Sequence, residues 1–103
     1  MSTSTFKHMD DGKEGRFIVE VDGKEAGYIK YKWLENGNIN ANGTLVHDEY
    51  RDHRLGMPLF DKLIEFATEK GIKIYPTCPF VVKVFSRRPD LHHLLADDYV
   101  RPA

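Results

Sequence analysis

Phe17, Val19 and Val21 alternate with Ile18 and Glu20, the period-two signature of a strand. Asp22-Gly23 follows, a pair that tolerates positive φ and so marks a tight hairpin. Residues 26–34 read as the return strand, with Ile29, Tyr31 and Trp33 on one face as its core side. Tyr28, Lys30 and Lys32 lie on the other face. Asn36-Gly37 makes a second turn, and residues 39–46 read as a further strand. Strands joined this tightly predict an antiparallel meander.

The period changes after Val46. Residues 47–56 are polar and charged, and Pro58 suits the first turn of a helix. Leu59, Phe60, Leu63, Ile64 and Ala67 recur at helical spacing, and Gly71 closes the helix as a left-handed cap. Residues 72–75 form a short strand, left sharply through Pro76-Thr77-Cys78-Pro79. Phe80, Val81, Val84 and Phe85 predict a second helix that Pro89 interrupts, and Leu91, Leu94 and Leu95 a final short one. Residues 1–15 are polar, with a turn at Asp10-Asp11-Gly12. They read as a flexible N-terminal segment with a short first strand near Phe6, ahead of one domain over residues 16–98.

The fold class expected is therefore α/β (α+β): the meander, a right-handed β-α-β crossover and a C-terminal helix. The strand before the crossover and the strand after it must be parallel. A helix that starts just beyond a strand's C-terminal end offers free N–H groups and a positive dipole end to an anion.

Composition narrows the classes little. A chain of 103 residues is one domain's worth, and 41% hydrophobic with 30% charged residues is an ordinary globular balance. A net charge of -1 supplies no global basic field toward nucleic acid or membrane, and neither is expected as a partner. The opening Met1–Thr5 stretch is polar, with no apolar targeting core, and the single cysteine, Cys78, has no partner for an internal disulfide. Both suit a cytoplasmic protein.

Thr44-Leu45-Val46, then Glu49-Tyr50-Arg51-Asp52-His53-Arg54-Leu55-Gly56, then the helix to Gly71, resemble the coenzyme A motif of the GNAT superfamily. The Pro76–Phe80 exit and Arg87-Arg88-Pro89 narrow the likeness to small single-domain GNAT-like N-acetyltransferases. The resemblance covers residues 17–95. The family's turn is Gln/Arg-x-x-Gly-x-Gly/Ala. Here Arg51 and Gly56 keep the first and last places, while Arg54 replaces the middle glycine. A family histidine before Thr-x-Val is Gly43, and a tyrosine of the last helix is Val84. The helices that full-length relatives place between their first two strands are missing, and Asp22-Gly23 is read as the direct link. An acceptor side so open implies a bulky acceptor, a wall from a second subunit in a homodimer, or no acceptor.

The resemblance implies acetyl transfer from acetyl-coenzyme A to an amine of unknown identity, a protein amine among the candidates. The pantetheine arm would bond the backbone of Leu45 and Val46. The pyrophosphate would lie on Arg51, Asp52, His53, Arg54, Leu55, Gly56 and Met57. Arg87 and Arg88 either reach the coenzyme's phosphates or close a helix C-terminus. Cys78 is a candidate nucleophile, with a small buried apolar residue as the plainer alternative. His47, Asp48 and Glu49 are candidate general bases or simply a solvated turn. His92-His93 near Asp97-Asp98 is not read as a metal site, because adjacent histidines on a helix diverge. The competing classes are a non-catalytic coenzyme A or protein-binding module and a thiol acyl carrier using Cys78.

Overall fold

The structure is a computed structural model and describes residues 3–99. It contains β1 (Ser4–Asp10), β2 (Glu14–Val21), β3 (Lys24–Trp33) and β4 (Ile39–Val46), then α1 (Gly56–Lys70), β5 (Ile74–Pro76) and α2 (Pro79–Arg87). Short 3-10 helices cover Asp48–His53 and Pro89–Leu94. The strands form one five-stranded sheet in sequence order; the first four are antiparallel and β5 joins β4 in parallel. The mixed α/β class, the meander and the crossover read from the sequence are all present.

Parts of that reading change. The first strand expected near Phe6 is present but longer: β1 pairs along all of Ser4–Asp10 with β2, so this stretch is not a loose tail; Met1 and Ser2 lie outside the described residues. The extra strand means that Asp22-Gly23 joins β2 to β3, and the direct link between the first two strands is the Asp11–Lys13 turn. Asp22 and Gly23 both adopt positive φ, 51° and 84°, as a two-residue hairpin loop requires. The last helix expected from Leu91, Leu94 and Leu95 is a 3-10 turn that ends in an isolated parallel bridge from Leu95 to Ile74.

One sheet face carries the core. Phe17, Val19, Ile29, Tyr31, Ile39 and Ala41 meet Leu59, Phe60, Leu63, Phe66 and Ala67 of α1. Val81, Val84 and Phe85 of α2 join the same cluster, and the Phe60 and Phe85 rings meet edge to face at 5.3 Å. The other face bears Arg16, Lys30 and Lys32, all exposed, with half-buried Tyr28.

Candidate active site

The site begins where β4 and β5 part. Their pairing covers only Ile39↔Ile74, Asn40↔Tyr75 and Ala41↔Pro76. The N–H groups of Thr77 and Cys78 then both donate to the Ala41 carbonyl at 3.0 Å, and the chain turns away. Proline explains the exit: Pro79 has no N–H to offer a ladder and its fixed φ suits the first residue of α2. Beyond Ala41, β4 keeps β3 on one side and, among the described residues, has no strand on the other. Asn42 is the extra residue of a bulge, where the β3 partner shifts between Lys30 and Tyr31. Residues 43–46 thus present a free backbone edge to a cleft, and Leu45 is exposed there.

β4 leads directly into the loop before α1. Asp48–His53 is one 3-10 turn; Arg54 ends it at φ 52°, ψ 47°, and Leu55 is buried as the anchor. Position 54 is where the motif normally has glycine, and the backbone here holds the left-handed conformation that glycine adopts most easily. The loop shape survives the substitution, with a guanidinium added at its tip. α1 opens with no side-chain cap and no acidic residue in its first turn, so its first N–H groups and dipole are left to an anion. A Cβ on Gly56 would stand 3.0 Å from the Phe80 ring tip, so glycine here lets the first turns of α1 and α2 close on one another. Both helix N-termini therefore border the cleft.

The remaining candidates fall into three groups. Cys78 lies at the cleft, 4% exposed, with Sγ 3.4 Å from the Thr44 hydroxyl of β4. Arg51, Asp52 and His53 are exposed on the loop and Met57 on the first turn of α1, and Arg51 spends its guanidinium on Asp48 at 2.9 Å. His47 leaves β4 but turns to Glu25 at 3.2 Å, and Glu49 is exposed on the 3-10 turn. Arg87 ends α2 exposed; Arg88 forks onto Asp90 with bonds of 3.1 and 2.9 Å, which hold the Asp90 carboxyl below its usual range. Val84, where the family tyrosine would stand, is buried in the core. His92 donates to the Phe85 carbonyl at 2.7 Å. Among the described residues no cluster of His, Cys, Asp or Glu is placed to hold a metal, and no helix is long and apolar enough to cross a membrane.

Sequence reasoning missed a second feature. A groove of about 500 Å³ crosses the sheet from the β1–β2 turn to Asn42, lined by Asp10, Arg16, Tyr28, Lys30 and Tyr31 among others. At its end, His8 Nε2 donates to the Tyr31 oxygen at 2.7 Å while the Tyr31 hydroxyl donates to Asp10 at 2.5 Å. Trp33 Nε1 adds a second bond to Asp10. Burial and the bond to Asp10 push the Tyr31 pKa well above the ordinary tyrosine value. Burial alone would raise Asp10, but the bonds from Tyr31, Gly12 and Trp33 outweigh it and hold the carboxyl below the usual range.

Solved structures share this architecture. A GCN5-like protein from Staphylococcus aureus superposes with a TM-score of 0.69 at 22% identity, covering 89% of this chain and 87% of its own. A ribosomal-protein-alanine N-acetyltransferase from Brucella melitensis gives 0.61 at 20% identity over 90% of this chain and 69% of its own. The aminoglycoside N-acetyltransferase AAC(6')-Iy, solved in complex with CoA, gives 0.62 at 11% identity over 100% and 93%. At these identities the likeness is one of fold. No curated protein matches the chain. The family model described as GCN5-related N-acetyl-transferase matches residues 16–94, and the chain belongs to that family.

Proposed function

We propose that the protein is an acetyl-coenzyme A-dependent N-acetyltransferase. The observation that carries this reading is the order of features along β4. Its free edge at residues 43–46 leads, through a loop that carries Arg51 and Arg54, into an uncapped helix N-terminus. An extended arm would add to the edge as a strand does, and a pyrophosphate would lie on the N–H groups at Gly56 and Met57 with Arg51 and Arg54 outside it. AAC(6')-Iy, with CoA bound, supports coenzyme use on this fold.

The chemistry follows from the placement. A neutral amine attacks the thioester carbonyl and a C–N bond forms. The resulting oxyanion needs an N–H donor, which the parted edge of β4 has to spare. The C–S bond then breaks, coenzyme A leaves as thiolate and takes a proton, and the acceptor nitrogen gives up one to solvent or base. His47 and Glu49 are the candidate bases; the bond from His47 to Glu25 orients one of them.

Cys78 supports a second reading, in which its thiol takes the acetyl group first, because it lies between β4 and α2 against Thr44. A Cys78→Ser variant that keeps its rate of coenzyme release would reject that route.

Arg54→Gly tests the phosphate role cleanly. The backbone already sits where glycine is comfortable, so the loop should keep its shape and lose only a charge. Together with Arg51→Ala it should weaken acetyl-coenzyme A binding by about ten-fold or more, the worth of one lost charge-assisted bond. Unchanged affinity in a titration would remove both arginines from the site. The reaction itself is tested by free thiol released from acetyl-coenzyme A across a panel of amines. Release that speeds up with an amine supports a transferase; binding without release for any amine supports a binding module.

A further inference from the structure

The groove across the open sheet face carries an arrangement that folding alone does not favour. The register sets Arg16 of β2 directly opposite Lys30 of β3, two cations on one cross-strand pair. Such pairs destabilise a sheet. Neither residue has an ion pair among the described residues, whereas Lys7, Arg51, Lys62, Lys73 and Arg88 each have one. Two of the three carboxylates at the groove's outer end, Asp10 and Asp11, already accept hydrogen bonds from their own surroundings. Asp10 takes Tyr31, Trp33 and the Gly12 N–H; Asp11 takes the N–H groups of Lys13 and Glu14. Glu14 stands opposite Lys32 in the register.

Both cations are also held in place. The Arg16 guanidinium lies over the Tyr28 ring, 5.7 Å from its centre. The Lys30 stem lies across Gly43, where a Cβ would be 2.5 Å from Lys30 Cε. The absence of a side chain at position 43 is thus what lets the Lys30 stem lie over β4 there. Both residues line the same groove as Asn42, where the free edge of β4 begins.

We propose that this groove is the acceptor site, and that the acceptor is a small primary amine carrying a carboxylate or phosphate close to its nitrogen. The anion sits between Arg16 and Lys30, and the nitrogen reaches the β4 edge at Asn42. With strands about 4.8 Å apart, a point between β2 and β3 lies roughly 7 Å from β4, which a nitrogen and an acid group separated by a few bonds can span. The acidic outer end repels a second anionic group and limits how far the ligand extends. This inference rests on the acetyltransferase reading, and it names the substrate class of that site.

The test uses matched amines with and without the anion: O-phosphoethanolamine against ethanolamine, and β-alanine against β-alaninamide. Thiol release from acetyl-coenzyme A should favour at least one acidic amine over its neutral partner by ten-fold or more in kcat/KM. The favoured pair tells phosphate from carboxylate. Arg16→Gln with Lys30→Gln should cut that preference to under three-fold and leave acetyl-coenzyme A affinity unchanged. Neutral amines used as well as acidic ones would overturn the inference and leave the transferase standing. If no amine is acetylated, amide NMR titration with O-phosphoethanolamine and with β-alanine still decides. Saturable shifts at Arg16, Tyr28, Lys30 and Asn42 that vanish in the double variant support the anion site, and no shifts there overturn it.

Discussion

Phe60→Ala should lower the unfolding free energy by about 3–5 kcal/mol, the usual cost of removing a fully buried aromatic ring. Phe60 is 0% exposed and its ring meets Phe85 edge to face, so it is the side chain that ties α1 to α2 across the core. The loss is large against the 5–15 kcal/mol typical of a domain, and should bring the thermal midpoint down by roughly 12 °C or more. It should also loosen the juxtaposed first turns of α1 and α2, which Gly56 and Phe80 bring together at the cleft. Phe60→Leu keeps most of the volume and should cost far less. Urea unfolding of both variants checks the argument. A loss under 1 kcal/mol for the alanine variant would mean that the two helices are held by something other than this contact.

The second large effect is expected at Gly27. A Cβ there would stand 2.5 Å from the Leu45 carbonyl oxygen and 3.1 Å from the Val46 Cα, both backbone atoms of β4. No rotamer relieves a clash with backbone, so Gly27→Ala must push β3 and β4 apart. Overpacking of this kind costs about 1–3 kcal/mol. The displaced residues, Leu45 and Val46, are the edge to which the pantetheine arm is assigned, so coenzyme affinity should fall along with stability. Calorimetry at a temperature where the variant is still folded separates the two. A variant that is destabilised yet binds acetyl-coenzyme A as tightly as the parent would show that this stretch of β4 does not hold the arm.

Gly27 also shows where sequence reasoning stops. In the chain it is one glycine among the apolar residues of a strand, and only the register reveals that β4 crosses it. The arrangement of Arg16, Lys30 and Gly43 is hidden for the same reason, since pairing across strands and the bulge at Asn42 leave no local pattern. β2, β3, β4 and α1 were legible because their apolar residues keep a clean period of two or 3.6. β1 was legible only as a short strand near Phe6, not over its full Ser4–Asp10 length, because one of its core-facing positions is a histidine. His8 stacks on Phe17 at 4.2 Å and meets Phe66 edge-on at 4.9 Å, acting as an aromatic where a hydrophobicity pattern sees a polar residue. The loop from Arg51 to Gly56 could be named from its spacing and its place between strand and helix. That Arg54 keeps the left-handed turn, while Gly56 serves the contact with Phe80, needed coordinates.

If the free edge of β4 and the N-terminus of α1 together hold coenzyme A, calorimetric titration of the purified protein with coenzyme A should show saturable one-to-one binding at micromolar concentrations. No binding of coenzyme A at millimolar concentration would contradict that placement.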